Sequence, residues 1–230
     1  MRLKQMIVML ALVALALPVA SQMGMGSQVP TLSGIWRPVV GSGSTYEITR
    51  EGNKTTMEFA VVGKEDMAGK TGYWVESSIM EPKGGGEMVI KVLEAVDGNV
   101  ISYSKSIIQM PGQGPMEMDP NMMNMGGRRP AQTVSTDFRD KAELVGSESI
   151  TVPAGTFSCE HYRMKDGSGE AWISDKVSPW SLVKMRDQQR TVVLAKMTTE
   201  AKTRITGTPT KFDPMQMMRN RMGQQSQQPQ

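Results

Sequence analysis

Cys159 and His161 are the residues whose types and spacing come nearest to a reactive or metal-binding pair. They lie two positions apart in a segment with strand-like alternation, so both side chains leave the same face. A thiolate and an imidazole can share a soft metal ion, but two ligands do not close a tetrahedral site, and the chain has no second cysteine or histidine. Free cysteine is among the most frequently buried residue types. The spacing therefore favours a buried thiol beside a hydrogen-bonded histidine over a metal site.

The segment 110–130, MPGQGPMEMDPNMMNMGGRRP, offers another chemistry because it concentrates methionine thioethers. Thioethers prefer copper(I), and the segment resembles the methionine-rich parts of periplasmic copper-handling proteins, although it lacks their histidines and aromatic caps. The other interpretation is a long loop whose methionines form an adaptable apolar surface. Copper(I) binding is thus an alternative function with five candidate ligands: Met116, Met118, Met122, Met123 and Met125.

Enzymatic chemistry has little support in the sequence. One histidine cannot form a histidine cluster for a catalytic metal, and neither a Gly-x-Ser-x-Gly elbow nor a Walker loop occurs. Acidic residues are scattered through the turns, so nothing selects a catalytic pair. We expect a protein that is not an enzyme, with no catalytic residues and no cofactor outside the copper(I) alternative.

The N-terminal segment 1–21 has the three parts of a secretory signal. Arg2 and Lys4 precede the apolar run 6–17, and a proline with small residues follows at 18–21. The run is shorter than the roughly 20 residues that span a bilayer, and no cysteine stands at the junction for a lipid anchor. We expect cleavage after Ala20 or Ser21 and a soluble periplasmic or secreted protein.

Charge gives no indication of a nucleic-acid partner. Without Arg2 and Lys4, 24 basic residues face 23 acidic ones, so the processed chain is nearly neutral. No stripe of basic and aromatic residues appears. The lone cysteine cannot form an internal disulfide, so a packed core must hold the fold together.

Alternating apolar and polar residues recur from Tyr46 onward and predict strands. They cover 46–50, 55–62, 73–80, 87–96, 100–109, 148–152, 157–164, 170–174, 191–197 and 199–205. Short turns such as Asp97-Gly98-Asn99 favour hairpins, and 139–144 suits a short helix or a strand start. The pattern predicts an all-β domain with at most one or two short helices, built as a single curved antiparallel sheet of about nine or ten strands. This half-open β-barrel has a two-sheet sandwich as its alternative.

The domain boundaries follow from where the alternation stops. The stretch 22–33 reads as a flexible leader, 34–206 as the β domain with the insertion 110–130, and 207–230 as a disordered Gln- and Met-rich tail.

The best-patterned stretch, 146–185, resembles the periplasmic lipoprotein-carrier (LolA/LolB-like) half-barrel proteins. The resemblance rests on the tryptophan strand Trp172-Ile173-Ser174, on Pro179 and on Leu182-Val183-Lys184. The turn VPAGTF at Val152–Phe157 is similar to one found in secreted bacterial proteins of unknown function that are assigned the same fold. It implies a half-barrel with an apolar interior and a binding role without catalysis.

These features predict an exported protein that carries a lipid, a lipoprotein or another apolar small molecule on its concave face, or that binds an envelope protein. A second alternative is a purely structural or interaction protein of the envelope. A ligand cavity should reach about 300 Å³. The candidate lining residues are Trp36, Trp74, Phe157, Trp172, Ile173 and Trp180.

Overall fold

A computed structural model describes residues 34–67, 69–80, 86–118 and 134–213. The predicted signal 1–21 and leader 22–33 lie outside these residues, as do 119–133 and 214–230. The regular structure within them is β-strand, apart from one turn of 3-10 helix at Arg139–Lys141. No helix in this part of the chain is long and apolar enough to cross a membrane. The prediction of an all-β chain is confirmed.

Thirteen strands of the described chain form one sheet. The first six are β1 (Gly43–Arg50), β2 (Asn53–Met67), β3 (Lys70–Met80), β4 (Glu87–Asp97), β5 (Val100–Gln109) and β6 (Met116–Met118). The others are β7 (Val134–Ser135), β8 (Ala142–Val152), β9 (Gly155–Met164), β10 (Gly169–Ile173), β11 (Leu182–Asp187), β12 (Arg190–Thr198) and β13 (Thr210–Lys211). Three of them, β6, β7 and β13, have only two or three residues. Without these three short strands the sheet has ten strands, which agrees with the predicted nine or ten.

The sheet is open and mostly antiparallel. Its order is β13-β6-β5-β4-β3-β2-β1-β12-β11-β10-β9-β8, with β7 beside β5, and only β13 and β6 pair in parallel among these strands. Asp97 pairs with Val100 across a two-residue turn in which Gly98 has a φ of +61°, a conformation that glycine adopts at low cost. One continuous sheet excludes the sandwich alternative.

The sheet curves strongly at its C-terminal half. The Ala154 N–H, at the tip of the β8–β9 hairpin, donates to the Leu194 carbonyl on β12 at 3.3 Å. Strands β10 and β11 separate β9 from β12 in the sheet, so this contact requires the sheet to fold over. The result is the half-open barrel that the sequence and the resemblance implied.

Strand register defines two faces of the N-terminal half. The inner face carries Tyr46 and Met57, which pair across β1 and β2 and are fully buried in the core. The outer face carries the intervening side chains, among them Glu58 on β2, which pairs with Ser78, and Glu76 on β3, which pairs with Ala60.

Residues 199–206 cross the outer face and are called the strap here. Thr203 Oγ1 and the Arg204 N–H donate to the two carboxylate oxygens of Glu76, at 2.6 and 2.7 Å, and the Thr206 N–H donates to Gln109 Oε1 at 2.9 Å. The predicted strand 199–205 is therefore wrong. Both edges of β12 are already paired, with β1 and with β11, so the next segment has no edge beside β12 to join.

The ordered chain extends past the predicted boundary at residue 206. Thr210–Lys211 pairs with Met116–Glu117 of β6, because the strap delivers the chain to that edge of the sheet. The boundary between domain and tail was placed too early.

Candidate functional site

On the inner face of β3–β6, apolar side chains extend beyond the edge of the buried core. Register places two rows across these strands: Ser77–Ile90–Ile108–Met116 and Val75–Val92–Ser106–Met118. We call them the aliphatic rows. Ile90, Val92 and Ile108 are only half-buried, whereas Tyr46 and Met57 on the same face of β1 and β2 are completely covered. This part of the inner face is an apolar surface whose burial is incomplete.

Two tryptophans and a tyrosine border the aliphatic rows. The Trp36 and Trp180 rings lie 4.8 Å apart between centroids, and Trp36 meets Tyr73 edge-on at 6.5 Å. Tyr73 stands on β3 in the row next to Val75 and Val92, after the β2 register shift. Aromatic pairs of this geometry stabilise each other beyond simple burial, so they form a firm wall at one side of the surface.

Glu94 faces the same surface from β4. It lies between Tyr73 on β3 and Tyr103 on β5 and is only 5% exposed. Its Oε2 atom is buried and has no hydrogen-bond partner in the described part of the chain. Burial raises the pKa of this carboxyl to about 8, so it is mostly protonated at neutral pH. Burial and the neighbouring Glu94 also raise the pKa of the Tyr103 phenol.

Ser106, on β5, adds a second unsatisfied polar group. It is 1% exposed, and its Oγ atom also lacks a partner among the described residues. Sequence reasoning missed both residues. The signal for Glu94 was present, because a period of two places it in line with Ile90 and Val92 on one face of β4.

The six predicted lining residues divide into three groups. Four belong to the buried core: Phe157, Trp172, Ile173 and Trp180. Trp36 packs against that core beside Trp180. Trp74 lies apart from them on the outer face, where its Nε1 donates to Glu65 at 3.2 Å and Lys91 lies 5.2 Å from its ring centroid. The structure thus joins Trp36 and Trp180 at the border of the aliphatic rows and separates Trp74.

A pocket of about 220 Å³ opens on the outer face. Its lining consists of Thr45, Glu58, Lys196, Thr198, Glu200, Ala201, Lys202 and Arg204. Both signs of charge are present, and Arg204 already pairs with Glu58 and Glu87. This pocket is polar and lies on the opposite face from the apolar interior that the sequence predicts.

Cys159 and His161 have the arrangement that their spacing favours. Cys159 is buried, 2% exposed, and burial together with Glu148 raises the pKa of its thiol to about 11. His161 stacks on Trp172 with 4.4 Å between centroids and lies 3.1 Å from Glu148 through Nδ1. The described residues contain no group of three or more His, Cys, Asp or Glu side chains arranged to hold a metal ion.

The candidate copper ligands lie only partly within the described residues. Met116 and Met118 belong to β6 at the end of the aliphatic rows. Met122, Met123 and Met125 lie outside the residues that the structure describes. Copper(I) binding by these thioethers stays a prediction, to be checked by competition with a copper(I) chelator under reducing conditions.

Comparison with known proteins gives similarities of fold only. The sequence matches no protein-family model and no curated protein. Over 73% of its length, the chain aligns with the whole of a "putative lipoprotein" from Parabacteroides distasonis at 15% identity and a TM-score of 0.37. The same 73% of the chain aligns with the whole of an exported protein with a YmcC-like fold from Bacteroides fragilis, at 12% identity and a TM-score of 0.34. It also aligns with 53% of MucB, solved in complex with MucA(peri), at 12% identity and a TM-score of 0.32.

Proposed function

We propose that this envelope protein binds an apolar ligand on the inner face of β3–β6. The observation that carries the proposal is the incomplete burial of the aliphatic rows next to a fully buried core. Apolar side chains in that position gain free energy when a ligand removes them from water.

The geometry suits a small apolar molecule or lipid chain. The four strands β3–β6 span about 14 Å across the sheet, and Trp36, paired with Trp180, contacts Tyr73 beside it. Half-buried apolar side chains beside a rigid aromatic border are typical of ligand-binding surfaces. An apolar segment of an envelope protein is the competing occupant of the same surface, and failure of a lipid extract to displace the dye would favour it.

Two neighbouring isoleucines of β5 provide a matched test. Ile108 belongs to the aliphatic rows, whereas Ile107 points to the outer face between Lys91 and Glu117. Both are half-buried. An apolar fluorescent dye should bind the purified protein, and Ile108→Ser should weaken binding about tenfold, since the lost apolar contact is worth roughly 1 to 2 kcal/mol. Ile107→Ser should leave the affinity within about twofold.

The control rests on folding and competition. Circular dichroism should show that both serine variants keep the β-sheet signal. Displacement of the dye by a lipid extract would support the apolar ligand. Absence of dye binding by the folded wild type, or equal losses in both variants, would overturn the proposal in favour of a structural or interaction role.

A further inference from the structure

Glu94 and Ser106 stand out among the buried polar groups that lack a partner in the described chain. Five such atoms occur there, and three of them belong to His161, Trp180 and Ser181 in the C-terminal half of the sheet. Glu94 Oε2 and Ser106 Oγ are the two that lie on the inner face of β3–β6. They sit on neighbouring strands and one row apart, within the surface proposed to bind the ligand.

Leaving these groups unsatisfied is costly. A buried polar atom without a hydrogen bond keeps the full cost of its desolvation, and native proteins leave few such atoms. Replacement of either residue by an apolar one of similar size would avoid that cost. Two such groups on neighbouring strands of an apolar face therefore indicate a partner that lies outside the described residues.

We propose that the ligand of the inner face is an amphiphile whose uncharged hydroxyl or ester head group hydrogen-bonds to Glu94 and Ser106 while its apolar chain covers the aliphatic rows. This inference rests on the proposed function and adds the chemical class of the ligand.

The charges around Glu94 favour an uncharged head over an anionic one. Tyr73 and Tyr103 flank it on β3 and β5, and Lys64 on β2 continues the row beyond Tyr73. Lys64 is exposed, and a strand separates it from Glu94, so it is poorly placed to neutralise an anion there. An anionic head beside Glu94 would be buried without a counter-charge, which is strongly unfavourable.

The hydrogen-bonding capacity of the two residues fits a neutral head. A protonated carboxyl donates one hydrogen bond and accepts others, and a serine hydroxyl does the same. A hydroxyl or ester can satisfy both. An ammonium head that paired with an ionised Glu94 is the competing class of ligand, and the test below includes it.

The test uses three probes with the same dodecyl chain length: monododecanoylglycerol, dodecanoate and dodecylammonium. Each is titrated at pH 7, below its micelle concentration, into wild type, Glu94→Gln, Glu94→Leu and Ser106→Ala, with displacement of the apolar dye as the readout. Wild type should bind the glycerol ester about tenfold more tightly than either charged probe. Glu94→Gln, which keeps a neutral hydrogen-bonding group, should retain that preference.

Glu94→Leu should lose the preference for the ester while still binding the dye, and Ser106→Ala should lose part of it. Unchanged affinity of Glu94→Leu for the ester would overturn the head-group assignment and leave the apolar site standing. Tightest binding of dodecylammonium or dodecanoate would overturn the uncharged class. Failure of the wild type to bind the dye and all three probes would overturn the proposed function and this inference together.

Discussion

Two buried glutamates on adjacent strands behave in opposite ways. Glu76 on β3 faces outward and is 3% exposed, and Glu94 on β4 faces inward and is 5% exposed. Both oxygens of Glu76 accept hydrogen bonds from the strap, from Thr203 and Arg204. Glu94 has an oxygen with no partner in the described chain. The two side chains are thus buried to a similar extent, but both oxygens of Glu76 have hydrogen-bond partners, whereas Glu94 Oε2 has none among the described residues.

This difference separates structure from function in the sheet. The outer carboxylate fixes a chain segment across β2–β5, so its burial serves the fold. The inner carboxyl fixes nothing that the structure describes, so its burial destabilises the protein unless a ligand contacts it. Each prediction below changes one side of the comparison and keeps the other as reference.

The largest expected effect is the pH dependence caused by Glu94. Its native pKa of about 8 lies above its ordinary value of 4.5. The unfolded chain therefore binds fewer protons between these values, and stability falls as pH rises. Relative to Glu94→Gln, the wild type should be fully stable below pH 4.5 and should lose about 1.4 kcal/mol per pH unit toward pH 8.

Urea denaturation of both proteins at several pH values measures this difference. Tyr73, Tyr103 and Lys64 share the row of Glu94 and are present in both proteins, so the difference between the two stability curves reports on Glu94. Parallel stability curves across this pH range would show that Glu94 is ionised in the native state.

The same substitution at the two glutamates should have opposite signs. Glu76→Leu leaves Thr203 and the Arg204 N–H without their acceptor, so it should destabilise the domain by about 2 to 3 kcal/mol. Glu94→Leu removes an unsatisfied group and should be neutral or stabilising by about 1 kcal/mol below pH 4.5. Its advantage over the wild type should then grow by about 1.4 kcal/mol per pH unit toward pH 8, because only the wild type carries the titrating carboxyl. Thermal unfolding measures both, and a large loss for Glu94→Leu would reveal a structural partner for that carboxyl.

Arg204 tests how much the strap depends on its side chain. Its guanidinium pairs with Glu58 and Glu87 and donates to Ser78 Oγ at 2.8 Å. Since the side chain is 40% exposed, solvent screens these pairs, and Arg204→Ala should cost only about 1 kcal/mol. Arg204→Lys should recover less than half of that loss, because lysine cannot bridge two carboxylates with a planar fork. No change in Arg204→Ala would show that the strap is held without the Arg204 side chain.

Two serines provide the smallest comparison. Ser78 accepts a hydrogen bond from Arg204 on the outer face, whereas Ser106 has no partner in the described chain. Ser78→Ala should cost about 1 kcal/mol, and Ser106→Ala less than about 0.5 kcal/mol. Similar losses in urea denaturation would contradict the distinction between the faces.

Much of the sheet follows from local sequence signals. Alternation and tight turns such as Gly98-Asn99 predict the hairpins because both are local in the chain. The strap does not follow, since 199–205 alternates like a strand and only long-range pairing shows that both edges of β12 are taken.

The site was harder to predict than the fold. Alternation gives two faces to β4 but does not say which one the core leaves open, because that depends on pairing across the sheet. Trp74 illustrates this: as a large aromatic residue it suits an interior, yet register aligns it with Glu76 on the outer face. In the sequence, Glu94 is an acidic residue among apolar neighbours on one face of β4, which does not suggest an interior position. Only the structure shows that it is buried.

The most direct test of the ligand-binding claim is native mass spectrometry of the protein purified from its own periplasm or culture medium. We expect a noncovalent adduct that organic extraction removes, that Ile107→Ser retains and whose occupancy falls in Ile108→Ser. Folded wild-type protein free of any adduct, or an adduct that Ile108→Ser keeps in full, would contradict it.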